Sequence, residues 1–233
     1  MGIRFTWLGH SAYLMDIDGH AVLFDPFLTG NPLAAATPDS LNPELIFVSH
    51  GHGDHIGDVV PIARRTGAPV VSNVEISSWL KKQGVDDAEG FNTGGSGDFG
   101  FCTGKLTIAF HSSALPDGSN GGSPNGFIVT ARESGMRLYF AGDTALFSDM
   151  ELIGDERIDV AFLPIGDHFT MGPADSLKAI KFLRPRFVSP MHYNTFPPIM
   201  QDASGWANRV SSETSAMPIV LDPGGSFSLP HIG

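Results

Sequence analysis

The chain of 233 residues has a single cysteine, Cys102, no Lys/Arg run, and no apolar stretch near the roughly 18 residues that cross a bilayer. One cysteine excludes an internal disulfide framework and fits a reducing compartment. The short apolar runs exclude a spanning helix. Lys and Arg number 14 against 25 Asp and Glu, a formal charge of −11, so no surface-wide polyanion site is expected and nucleic acid is not the default partner. The N-terminus carries no charged region followed by a leader-like apolar segment, which points to the cytoplasm and away from a membrane. Residues 1–6 satisfy the myristoylation pattern, but residues 3–8 read as a buried strand and the lipid reading is set aside. With 42% hydrophobic residues the composition is that of a globular protein, and neither a repeat nor a linker divides residues 1–233, which are expected to form one domain.

Short β-rich runs bounded by Gly, Pro and Asp alternate with a few helical stretches, an α/β pattern. Strands are expected at residues 3–8, 12–17, 21–24, 45–49, 70–72, 106–110, 127–130, 137–140, 160–163, 187–189, 219–221 and 226–229. Asp18-Gly19 suits the positive φ angles of a tight hairpin. Helices are expected at about 56–65, from an Asn73 cap to Gln83 with Gly84 as terminator and Trp79 and Leu80 facing inward, and at 174–183. Segments 86–104 and 112–125, rich in Gly with Asp or Ser, read as loops. Because β-rich segments recur in both halves, two packed sheets with helices outside are favoured.

Ionisable residues fall where these strands end: His10, Asp25, His50, His111, Asp143 and His192 each follow an apolar run. Strands buried side by side present their ends along one edge, so groups distant in sequence can converge. The densest segment is Ser49-His50-Gly51-His52-Gly53-Asp54-His55, with four metal-capable side chains in six positions. Imidazoles and a carboxylate are the donors that borderline divalent cations prefer. Gly51 and Gly53 let the backbone fold tightly, so that His50 and His52 can face one ion and Asp54 and His55 another. A solvated His-rich loop would not ordinarily follow an apolar strand and open a helix.

His50-x-His52-x-Asp54-His55 resembles the signature of the metallo-β-lactamase superfamily. His111 in Phe110-His111-Ser112, Asp143 in Gly142-Asp143-Thr144 and His192 in Pro190-Met191-His192 resemble that family's remaining ligands, in order. Trp7-Leu8-Gly9-His10-Ser11 and the segment from Gly166 to Gly172 are similar to its compact branch of metal-dependent hydrolases related to ascorbate-6-phosphate lactonase. The resemblance implies a four-layer αββα sandwich of two mixed β-sheets. It also implies two divalent ions, one held by His50, His52 and His111, the other by Asp54, His55 and His192, with Asp143 shared.

Two such ions, the two carboxylates Asp54 and Asp143 and a bridging hydroxide leave a local excess of one positive charge on an acidic protein, so a small anionic substrate is expected. Paired ions bring the pKa of a shared water from 15.7 toward about 7, which supplies hydroxide at neutral pH. Cleavage of an ester, lactone or phosphodiester follows, with Asp54 able to orient the nucleophile or take its proton. Without a cysteine ligand the metal stays open between zinc and manganese, with iron or nickel also acceptable. The competing class is a metal-binding protein without turnover, in a redox or binding role, but no flavodoxin-type domain accompanies the site. Homo-oligomerisation stays open.

His10 is expected to support the ligands by hydrogen bonding, because six other protein ligands already fill two sites. Asp25 either bonds a site histidine or the motif loop, or caps the turn before Pro26. His168 belongs to the pocket wall, in contact with substrate or in a structural role. His20 and His231 are expected on the surface. Gly95-Ser96-Gly97-Asp98-Phe99-Gly100 satisfies the dinucleotide fingerprint, yet follows no apolar strand and opens no helix, and Cys102 has no general base beside it.

Overall fold

The computed structural model describes residues 2–230, so the expectation for His231 lies outside the described residues. Two seven-stranded sheets lie face to face. The first contains β1 (Ile3–Gly9), β2 (Ala12–Ile17), β3 (His20–Phe24), β4 (Leu45–Phe47), β5 (Val70–Asn73) and β6 (Ala88–Phe91). The second contains β7 (Ser96–Asp98), β8 (Cys102–Ile108), β9 (Asn125–Ala131), β10 (Arg137–Phe140), β11 (Val160–Pro164), β12 (Phe187–Met191) and the short β13 (Met217–Pro218). The chain then returns to the first sheet, where β14 (Ser226–Ser228) pairs with β1. Among the described residues six α-helices accompany the sheets: α1 (Gly53–Ile56), α2 (Val59–Thr66), α3 (Val74–Lys82), α4 (Met150–Gly154), α5 (Pro173–Leu183) and α6 (Ala203–Glu213).

Alternation along β1 buries Ile3, Phe5 and Trp7 while Arg4 stays exposed, the period of a strand with one face on the core. The sheets meet through aromatic rings. Phe5 meets Phe162 at 4.9 Å between centroids, Phe24 meets Phe140 at 4.9 Å and Phe47 meets Phe127 at 4.9 Å. Such tilted and edge-on pairs contribute beyond their buried area. Ile62 of α2 and Ile76 and Leu80 of α3 cover the outer face of the first sheet, against Leu23, Ile46 and Val70. Leu177 and Ile180 of α5 join the core on the side of the second sheet, with Trp206 and Val210 of α6. The result is the expected αββα sandwich.

Pairing direction decides where the site lies. β1, β3 and β4 run parallel to one another in the first sheet, and β8, β10 and β12 do so in the second. The C-terminal ends within each set therefore share one edge, and the loops that leave them can meet.

Several sequence expectations are corrected. The helix expected at 56–65 is two, α1 and α2, because the Asp58 carboxylate accepts from Leu28 N, Thr29 N and Thr29 Oγ1 instead of continuing a helix. Segment 86–104 is not one loop: it holds β6, β7 and the start of β8. Glycine lowers strand propensity, yet a Cβ at Gly104 would come within 2.9 Å of the Phe47 ring and one at Gly97 within 2.6 Å of Phe91, so these strands are built to admit aromatics. The strand expected at 106–110 is Cys102–Ile108 and leaves Phe110 exposed. The closing strand expected at 219–221 is Met217–Pro218, although Ile219 N still donates to Val188 O. Helices α4 and α6 were not anticipated; Asp202 capping Gly205 N, with buried Trp206 and Val210 four apart, is the signal for α6. Leu80 is buried as expected, whereas Trp79 is half-buried and its Nε1 donates to Asp117.

Candidate metal centre

Asp143, three residues beyond β10, places its Oδ2 at the middle of a ring of imidazoles. His192 Nε2 is 3.0 Å away, His55 Nε2 3.3 Å, His111 Nε2 3.5 Å and His50 Nε2 3.9 Å. These side chains come from both sheets. On one flank His50 Nε2 and His52 Nδ1 face each other at 3.0 Å, and with His111 they form a group whose donor atoms lie within 4.8 Å of one another. On the other, His10, Asp54, His55 and His192 form a second such group. Every residue carried into the expected ligand set is thus brought together.

Neighbouring hydrogen bonds set which nitrogen points inward. Asp25, at the end of β3, accepts from Ser49 N at 2.7 Å, Ser49 Oγ at 2.6 Å and His55 Nδ1 at 2.7 Å. With its own proton given to Asp25, the Ser49 hydroxyl accepts from His50 Nδ1 at 2.9 Å. In their neutral form, the one that binds a cation, both histidines therefore carry their proton on Nδ1 and turn an Nε2 lone pair toward Asp143. Asp25 thus bonds both His55 and the start of the motif loop. Ser49 in this role was not anticipated; its place directly before His50 is the available signal.

The strained backbone clusters here as well. His10, Asp25 and His192 have φ of 56°, 42° and 54°, in the left-handed region that costs a non-glycine residue about 1–3 kcal/mol and gathers at functional sites. His192 N donates to His10 O at 3.1 Å, which ties the end of β12 to the end of β1.

Electrostatics follows from burial among opposed charges. Burial alone would raise the Asp143 carboxyl, but His192 and His55 beside it hold it well below the usual carboxylate range. Burial likewise opposes ionisation of Asp54, and the His10 hydrogen bond with the nearby His55 outweighs it, so that carboxyl is also lowered. His50, His52 and His111 are pushed down chiefly by burial, and His10 falls to about 4 for the same reason. His55 goes the other way: burial would lower it, but Asp143 and Asp25 together raise it well above 6.5.

The donor set fits divalent cations. Donors at about 2.0–2.2 Å from a shared ion lie about 3.0–3.6 Å apart at coordination angles of 90–120°, the spacing of His192, His55 and His111 from Asp143, with His50 slightly farther at 3.9 Å. His55 Nε2 and Asp143 Oδ1 are buried without hydrogen-bond partners, a cost a cation would remove.

His168 is exposed and outside both groups; its ring stands edge-on to Phe169 at 4.5 Å. Its turn borders the centre through Met171 N, which donates to Thr144 O at 2.9 Å. His20 is on the surface, stacked on Phe101 and bonded to Glu44. Cys102 is buried and its thiol is pushed up to about 12 by that burial, which suits packing. The fingerprint at 95–100 lies on β7 and its turn. Among the described residues no helix is long and apolar enough to cross a membrane.

Two stacked mixed sheets with a His/Asp centre at their common edge define a metal-dependent hydrolase, and residues 4–192 match the model of the beta-lactamase superfamily domain. A UPF0173 metal-dependent hydrolase of Thermus thermophilus is 49% identical over 207 residues, covering 89% of this chain and 91% of that one. Another, of Methanopyrus kandleri, is 44% identical over 230 residues, covering 97% and 99%. A solved metallo hydrolase of Ignicoccus hospitalis superimposes with a TM-score of 0.89 at 38% identity, with 98% of each chain covered. The chain belongs to the UPF0173 metal-dependent hydrolases of the beta-lactamase superfamily.

Proposed function

We propose that this single-domain hydrolase holds two divalent ions and uses them to hydrolyse a small, anionic ester, lactone or phosphodiester. The carrying observation is Asp143 Oδ2 set 3.0–3.9 Å from four imidazole nitrogens, two from the motif and two from the distant His111 and His192. His50, His52 and His111 would hold one ion, Asp54, His55 and His192 the other, and Asp143 both. When bound, the pair would supply hydroxide at neutral pH and polarise the attacked carbonyl or phosphoryl oxygen. Zinc or manganese suits these donors, and iron or nickel is compatible.

The chain's own groups shape the reaction. Asp25 and Ser49 keep the His50 and His55 tautomers that leave Nε2 free. Asp54, partly exposed and held as a carboxylate, is a weak base suited to ligation and to orienting the attacking water. Exposed Phe110, directly before His111, and His168 and Phe169, whose turn bonds the Asp143–Thr144 loop through Met171 N, would meet the substrate.

Chelator-stripped protein reloaded with zinc or manganese tests the reading on a panel of lactones, thioesters and phosphodiesters. Turnover should vanish on stripping and return with two equivalents of metal. Chelator-insensitive turnover, or full recovery at one equivalent, would overturn it.

A further inference from the structure

We propose that His10 is itself a metal ligand, the third imidazole of the site formed with Asp54, His55 and His192. The inference rests on the two-ion reading and extends it. His10 follows β1, and its ring is fully buried between the edges of Phe27 and Phe196, each 5.7 Å away between centroids. This apolar jacket leaves its two nitrogens one partner each. Nδ1 lies 2.8 Å from Thr195 Oγ1, and Nε2 lies 3.2 Å from Asp54 Oδ2, closer to that oxygen than His192 Nε2 at 3.8 Å. All four donor atoms of the group lie within 4.8 Å of one another.

The Thr195 hydroxyl decides what Nε2 presents. It has its own acceptor in Tyr193 O at 3.3 Å, so it can receive the proton of His10 Nδ1. With the proton on Nδ1, the Nε2 lone pair faces the Asp54 carboxylate as two donors sharing one cation do, whereas without a cation the same contact is closed by a hydrogen bond from Nε2 to Asp54. The 3.2 Å separation falls within the spacing of two donors that share one ion. The left-handed backbone at His10 and its carbonyl's bond from His192 N aim the ring at this point rather than along the strand.

With Asp143 included, the second site would have five protein donors and the first four. Five donors suit ions that accept five or six ligands, such as manganese or iron, whereas the four-donor site suits zinc. The two sites would then differ in metal preference within one centre.

The test uses the full chain, stripped and reloaded with cadmium-113, with nitrogen-15 in its imidazoles. Two bound ions are expected, one coupled to His50, His52 and His111 and the other to His10, His55 and His192, with the His10 proton on Nδ1. Coupling to His55 and His192 without coupling to His10, or a proton on His10 Nε2, overturns the proposal while the two-ion reading stands. Failure to bind a second ion overturns both. In parallel, equilibrium dialysis of His10→Gln with manganese should show one site weakened by more than about 100-fold, beyond the 10–100-fold expected from losing a merely supporting partner. Unchanged affinity at both sites in that variant would also sink the assignment.

Discussion

Asp25 sits wholly buried and accepts three hydrogen bonds, all from the motif or its flanking serine, so its charge serves the orientation of His55 directly and of His50 through Ser49. Asp25→Ala should cost about 3–5 kcal/mol in urea unfolding, as for one partner lost from a buried charged network, and weaken metal binding about 10–100-fold by titration. His52 is less enclosed and lies at the end of the ligand ring. His52→Ala should therefore lose metal and turnover together while circular dichroism and the cooperative melt stay near native. Chelator-sensitive turnover in that variant would contradict its placement.

Loops act through a few fixed ties. Asn73 caps α3 by accepting from Ile76 N, and its amide donates to Gly121 O and Ser123 O in the 112–125 loop. One side chain thus joins a helix start to the wall beside His111. Asn73→Ala should cost about 1–3 kcal/mol, combining a lost cap with an unpaired carbonyl at buried Gly121, and raise hydrogen exchange in that loop. Gly166, after β11, approaches the end of β12 so closely that a Cβ there would lie 2.2 Å from His192 O. Gly166→Ala should displace His192 and reduce occupancy of its ion, read by metal analysis, with the sheets retained. The sequence periodicity made β2 and β10 legible to the residue, since both alternate or run apolar between clear turn signals. It missed β6 and β7, whose Gly90 lies against Val74 and Ser77 of α3 and whose Gly97 lies against the rings of Phe91 and Phe99, reasons visible only across elements.

The assembled centre couples folding to protons and metal. In stripped protein, His10, His50, His52 and His111 have folded values below 6.5, so acidification protonates the unfolded chain first and stability falls as pH drops from about 6.5 toward 4. His55 has the opposite sign: its folded value is raised, and the stability it adds is present below 6.5 and lost as pH rises through that folded value. Four groups against one make the stripped protein acid-labile, and the urea midpoint should be lower at pH 5 than at pH 7. A midpoint that rises on acidification would show that His55 dominates. Metal should lift the melting temperature by roughly 8–16 °C when one ion is held at a thousand times its dissociation constant, since about 4 kcal/mol of linkage spreads over a chain of this size. Scanning calorimetry with and without chelator measures it.

Residue order alone carried the metal-capable side chains, their spacing within His50–His55, and the apolar runs ahead of His111, Asp143 and His192, because donor chemistry and strand burial each leave a local pattern. Folding added what no local pattern holds. Parallel alignment of β1, β3 and β4 with one another, and of β8, β10 and β12, brings six strand ends to one edge. The hydrogen bond between His10 and Thr195 spans 185 positions, and that from His55 to Asp25 spans 30. Such contacts depend on which sheet faces which, and so the tautomers and the surroundings of His10 were set by packing across the sandwich.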